Sequence, residues 1–123
     1  MKFFSRRLVK HEDLNPANRL FGGRLLAWID EEAAIYAGCQ LAYKNIVTKY
    51  ISEINFVAPS ELGDVIEFGL DVTGIGSSSI TVSCEVRNKA SKQTIIKIEK
   101  MVFVCVNEDG KPKEHGLRTS LAA

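Results

Sequence analysis

Residues 20–43 read LFGGRLLAWIDEEAAIYAGCQLAY. Leu, Ala, Glu and Ile dominate this stretch and no proline interrupts it, so local propensity favours one long helix. At about 100° per residue, Leu26, Ile29, Ala33 and Ala37 fall on a single stripe that must face an apolar layer. Gly22 and Gly23 stand at its start, where they weaken the first turn but admit another group close to the backbone. Glu31 and Glu32 lie off the stripe and are free to meet solvent. Trp28 and Ile35 lie on the opposite face, which predicts either a contact with another subunit or a simply exposed pair. Asp30 fits neither face, since it sits within roughly 70° of the centre of the stripe. A carboxylate at the edge of a buried face is costly unless it is paired, hydrogen-bonded or protonated. The helix alone leaves two roles open. Asp30 either reaches out to solvent or a lysine, or serves as a general base or nucleophile beside a cleft.

Outward from the helix the pattern changes. A short strand is predicted near Ser5 to Lys10, followed by a polar segment, His11 to Arg19, in which Pro16 disfavours helix at Asn15. Beyond Lys44 the apolar residues recur with period two. Ile46 to Phe56 is rich in β-branched and aromatic residues and is closed by Pro59. Ile66, Phe68, Leu70 and Val72 share one face of Val65 to Thr73; Ile80, Val82, Cys84 and Val86 do so in Ser78 to Asn88. A last strand spans Thr94 to Val106. Turn signals separate these runs at Gly63-Asp64, Gly74 with Gly76, Asn88 to Lys92, and Asp109-Gly110. No crossover helix divides the later strands, so the class is α+β with a mostly antiparallel sheet. Residues 111–123 read as a loose tail.

The chain has 123 residues, the size of one domain. Its 16 Lys and Arg balance 15 Asp and Glu, a net charge of +1. That balance excludes a strongly basic class built for nucleic acid or anionic membranes. The three cysteines, Cys39, Cys84 and Cys105, sit among apolar neighbours without a CxxC. They read as buried thiols of a reducing compartment, with no zinc site and no disulfide framework. His11 and His115 have no partner at metal-ligand or catalytic spacing. The start MKFFSRR lacks an apolar run of signal-peptide length, and no stretch of about 18 apolar residues occurs. These features predict a cytoplasmic protein with no membrane, nucleic-acid or metal partner.

The run Asn15-Pro16-Ala17-Asn18-Arg19-Leu20-Phe21-Gly22-Gly23, followed by Leu26 and Asp30, resembles the hotdog acyl-CoA thioester hydrolases. The resemblance continues in Asn55-Phe56-Val57-Ala58-Pro59, Gly63-Asp64, Gly76-Ser77-Ser78-Ser79-Ile80 and Val102-Phe103-Val104, nearly the whole chain. It implies a single hotdog domain over residues 1–123, one long helix packed on a curved, mostly antiparallel five-stranded sheet. It also implies hydrolysis of acyl-CoA to free acid and CoA, which enters as part of the substrate and not as a separate cofactor. In such a site Asp30 activates water or attacks the thioester itself, and Asn15 orients the water or polarises the carbonyl. The N–H groups of Gly22 and Gly23 hold the oxyanion at the positive end of the helix. The Asn and the Asp that meet come from different protomers, so a homodimer is the minimal active unit; a subunit contact at Trp28 and Ile35 would build tetramers or hexamers from it.

Gly76, Ser77, Ser78 and Ser79 are the implied contact for the CoA phosphates, since small residues with free N–H groups and hydroxyls suit phosphate oxygens. Without the resemblance the same segment would read as a plain hairpin turn. Relatives often carry a basic residue where this chain has Ser77, which leaves Arg87, Lys89 or Lys92 as candidates for the charge. A hotdog dehydratase would instead need a His before or in the helix, and His11 lacks the surrounding motif. The alternative from a different class is a non-catalytic acyl-CoA-binding module, which would need neither Asp30 nor Asn15.

Overall fold

Leu25, Ile29, Ala33, Ala37 and Leu41 are the buried positions of one helix, α1 (Gly22–Leu41). The computed structural model describes residues 1–43 and 45–117. The buried stripe starts at Leu25, not at Leu26, which flanks it half-buried. Both spacings keep one helical face, and the core takes the residue four before Ile29. Ala33 and Ala37 have no exposed surface at all. Their small side chains let the helix lie close on the sheet, and a larger residue at either position would cost about 1–3 kcal/mol.

The facing layer is a sheet of β1 (Lys2–Leu8), β2 (Ile46–Ile51), β3 (Asn55–Phe56), β4 (Val65–Ile75), β5 (Ser79–Asn88) and β6 (Thr94–Cys105). Its order is β1-β4-β5-β6-β2, with β3 also beside β6, and all pairs are antiparallel. Alternate residues of the central strands point at α1, with the phase of β6 shifting between Ile98 and Met101, so Phe68, Val82, Ile98 and Phe103 are fully buried with the helix stripe. This is the hotdog arrangement. The strand count is six where five were expected, because the run Ile46 to Phe56 opens at residues 52–54. There the Ser52 hydroxyl accepts the Lys100 N–H (3.1 Å) and the Ser52 N–H donates to the Lys100 carbonyl (2.9 Å). A side chain has replaced a rung of the ladder, and Asn55 resumes pairing at Lys97.

Two expectations about the helix surface need correcting. Glu31 and Glu32 are not merely solvated: Arg7 of β1 donates to both, at 2.6 and 2.8 Å. The Arg7 guanidinium also lies 5.3 Å from the Trp28 ring centroid. Trp28 is therefore covered from its own chain, and only Ile35, 57% exposed, remains an open apolar residue of that pair. Cys84 and Cys105 are buried, but Cys39 is exposed on the helix. Burial pushes the Cys84 thiol up to about 12, with Glu85 and Glu32 adding to the shift, so it is inert at neutral pH. The segment read as a loose tail is anchored as far as it is described. Val106 bridges Pro112, the Lys113 N–H donates to the Cys105 carbonyl, and Leu117 packs on the core. Residues 118–123 lie outside the described residues.

The other sheet face buries a charge. Glu67 of β4 is only 2% exposed and accepts from Arg87 (2.7 Å) and Lys92 (3.4 Å), with Arg6 at 3.4 Å. Burial alone would raise its carboxyl, yet the Arg87 and Lys92 hydrogen bonds outweigh it and hold Glu67 below its ordinary 4.5. A depressed carboxyl contributes stability above its unfolded value and loses it as pH falls through the folded one. Glu67→Gln should therefore cost about 2 kcal/mol at pH 7 in urea unfolding. The gap to wild type should shrink once pH drops below the ordinary value of 4.5. A gap independent of pH would mean that the charge contributes nothing.

Candidate active site

The polar segment before α1 is held by a carboxylate that sequence reasoning missed. Asp13, 4% exposed, ends a short turn of 3-10 helix (His11–Asp13) and accepts the Lys10 N–H at 2.9 Å through its side chain. Its other carboxylate oxygen faces Arg24 of the first helical turn at 3.5 Å, and its carbonyl accepts the Phe21 N–H at 2.8 Å. Nothing in the pattern His11-Glu12-Asp13 separates this residue from an ordinary surface acid; only the fold turns it inward.

That anchor sets the loop bearing Asn15. The Asn15 Oδ1 accepts the N–H groups of Ala17 (2.9 Å) and Arg19 (3.1 Å), and its own N–H donates to the Arg19 carbonyl (2.7 Å). With the side-chain oxygen engaged twice, the Nδ2 group is the part left to donate outward. The chain then enters α1 at Phe21, whose N–H is bonded to Asp13 and which provides no side-chain cap. Among the described residues the N–H groups of Gly22, Gly23 and Arg24 have no acceptor, the first intrahelical bond being Leu25 to Phe21.

A cavity of about 340 Å³ opens at Gly22, lined also by Arg19, Leu20, Leu25, Phe56 to Ser60 and Ile95. A Cβ at Gly22 would stand 3.3 Å from the Phe56 ring, so glycine is what leaves the backbone open there. The arrangement offers the Gly22 N–H to a developing negative oxygen at one end of a mostly apolar slot.

Asp30 sits elsewhere. It is half-buried, and its Oδ1 accepts from the Thr48 hydroxyl of β2 at 2.7 Å. Thr48 was not singled out in the sequence, where it is one more β-branched residue of a strand. Among the described residues neither a lysine nor Asn15 is bonded to Asp30. Eight helical residues separate Gly22 from Asp30, about 12 Å along the axis. A single carbonyl group cannot touch both in one chain.

The turn from β4 to β5 is closed by the Gly76 N–H donating to the Ser79 carbonyl at 3.0 Å. The Ser77 carbonyl accepts from the His115 N–H and the Ser78 carbonyl from the Cys105 N–H, leaving the amides of Ser77 and Ser78 without acceptors among the described residues. Within one chain Arg87 and Lys92 are remote from this turn. They are engaged with Glu67 near the far end of β5, and Lys89 lies in the turn beyond it. Ser79 and Arg87 are roughly 26 Å apart along the strand. Among the described residues no cluster of three His, Cys, Asp or Glu is placed to hold a metal, and no helix is long and apolar enough to cross a membrane.

Residues 17–95 match the family model described as the thioesterase superfamily. An uncharacterised acyl-CoA thioester hydrolase of Buchnera aphidicola is 30% identical over 113 residues, covering 87% of this chain and 83% of its own. The acyl-CoA thioester hydrolase YciA of Salmonella typhimurium is 30% identical over 114 residues, covering 88% and 85%. Among solved structures, a hexameric thioesterase from Yersinia pestis superposes with a TM-score of 0.83 at 28% identity, covering 92% of this chain and 93% of that one. An acyl-CoA hydrolase from Staphylococcus aureus, solved with butyryl-CoA and CoA, gives 0.78 at 31% identity, covering 89% and 66%. That hydrolase has also been solved as Asn-to-Ala, Asp-to-Ala and Thr-to-Ala variants.

The anchoring of the loop by Asp13 predicts that Asp13→Ala lowers stability by about 1–3 kcal/mol, because the Lys10 N–H loses a buried acceptor. Urea unfolding reads this directly, and an unchanged midpoint would show that the loop holds without the carboxylate.

Proposed function

The chain belongs to the thioesterase superfamily, and from that membership we propose that it hydrolyses acyl-CoA thioesters to the free acid and CoA. The observation that carries the residue roles is the separation within one chain of the free helix N-terminus from the carboxylate. The two halves of the chemistry lie about 12 Å apart on one rigid helix, so a second protomer supplies the missing half of each site. Support for that pairing comes from β2, which bonds only to β6 among the described residues and presents exposed Val47, Thr48 and Tyr50 at the sheet edge. A two-fold dimer across this edge brings Thr48 and its bonded Asp30 to the boundary between subunits. Assembly beyond the dimer would use the face bearing exposed Ile35, in keeping with the hexameric Yersinia pestis thioesterase.

In the reaction, Asp30 takes a proton from water as the water oxygen attacks the thioester carbon, or attacks that carbon itself and is then released by water. Thr48 holds the carboxylate through its hydroxyl. The carbonyl oxygen takes up charge against the N–H groups of Gly22 and Gly23, with Asn15 Nδ2 as a further donor. The C–S bond then breaks and CoA leaves as the thiolate, which takes up a proton. The turn Gly76 to Ser79 meets the phosphates with the amides of Ser77 and Ser78.

Thiol release from acyl-CoAs of graded chain length tests the assignment. Asp30→Asn should lose about 100-fold or more in kcat, and Thr48→Val about tenfold. Equal activity in wild type and Asp30→Asn would remove Asp30 from the mechanism; CoA binding with no turnover would leave a binding module. Shared sites give a second expectation. Asp30→Asn and Asn15→Ala, each inactive alone, should regain about a quarter of wild-type activity when mixed and allowed to exchange subunits. No recovery under demonstrated exchange would place both residues in one chain's site.

A further inference from the structure

His115 reaches the Gly76–Ser79 turn twice. Its backbone N–H donates to the Ser77 carbonyl at 3.1 Å, and its ring Nε2 lies 2.9 Å from the Ser79 carbonyl. The other ring nitrogen, Nδ1, accepts the Leu117 N–H at 3.0 Å. Because Nδ1 accepts, Nε2 carries the proton and donates, so both ring nitrogens are engaged and the tautomer is fixed. The Ser79 carbonyl is the same oxygen that closes the turn by accepting the Gly76 N–H. With these bonds and the Cys105 bond to Ser78, the carbonyls of Ser77, Ser78 and Ser79 all have donors, and the turn is left presenting N–H groups.

We propose that His115 is a positioning residue for nucleotide recognition. It clamps the Gly76–Ser79 turn so that the free amides of Ser77 and Ser78 are fixed toward the phosphate end of CoA. The inference rests on the proposed role of that turn and goes beyond it by assigning the control of the turn to the segment after β6. A hairpin tip with no tertiary contact would sample several conformations, and an anion would have to order it at a cost in affinity. The clamp removes that cost before substrate arrives. It acts on the part of the substrate remote from the thioester, so its loss falls on KM.

The test compares a short acyl-CoA with the matching S-acyl pantetheine, which carries the same thioester and no nucleotide. His115→Ala should raise KM for the acyl-CoA about tenfold with kcat close to wild type, and leave the pantetheine ester unaffected. His115→Gln, whose amide can still donate to the Ser79 carbonyl, should recover most of the loss. Should His115→Ala fail to fold, His115→Gln against His115→Glu, which cannot donate when ionised, gives the same comparison. If wild type shows no preference for acyl-CoA over the pantetheine ester, nucleotide recognition at the turn fails and this inference with it. If wild type prefers acyl-CoA and the variants keep that preference, or lose activity equally on both esters, only the clamp is overturned.

Discussion

The close approach of Ala33 and Ala37 to the sheet is the constraint on which the rest of the molecule depends. Both side chains are completely buried, and the helix carrying them also carries Gly22 and Gly23 at one end and Asp30 in its middle. Once that stripe is seated, the azimuth of Asp30 follows from helical geometry, and it faces the β2 edge where Thr48 meets it. The free N–H groups are fixed by the same seating. The Leu25 stripe residue lies within the first turn and lines the cavity that Gly22 also lines. The apolar stripe thus sets where the free N–H groups and the carboxylate are placed.

The helix, the antiparallel strand runs and the edge position of Asp30 were legible because each is written in periodicity. A 3.6-residue stripe and four period-two runs leave one economical packing, and turn residues mark where the runs end. What escaped the sequence has a common physical character. Leu25 and Leu26 are both leucines, so the stripe's phase could not be settled by composition. Ser52 interrupts the ladder with a hydroxyl that looks like any other strand serine. Thr48 owes its role to Asp30, 18 residues distant, and Asp13 is turned inward by Arg24 and the Phe21 N–H as well as by the nearby Lys10 N–H, contacts that the local pattern does not encode. The segment after β6 seemed loose because it is polar and irregular, yet its backbone is bonded to β6 and to the β4–β5 turn.

Charge is distributed in a way the net value of +1 conceals. Arg6, Arg87 and Lys92 surround one buried carboxylate, and the Arg87 guanidinium also stacks 3.6 Å from the Phe3 ring centroid. Removing Arg87 to serve a phosphate would leave Glu67 buried and short of its best partner, a far larger loss than a phosphate contact could return. The cluster is a structural tie between β1, β4 and β5.

On the proposed reading the β4–β5 turn meets phosphate through backbone donors. Ser77 and Ser78 present amides, and an amide held rigidly in a cluster binds an anion through fixed dipoles with little reorganisation. A lysine side chain tolerates a loosely ordered loop, because a flexible stem finds the phosphate wherever it lies. Backbone amides have no such reach, so a site built from them must be braced from outside. The segment ending in His115 and Leu117 is the element placed to brace it: His115 gives its backbone and ring N–H to the carbonyls of Ser77 and Ser79, and the Leu117 N–H holds the ring.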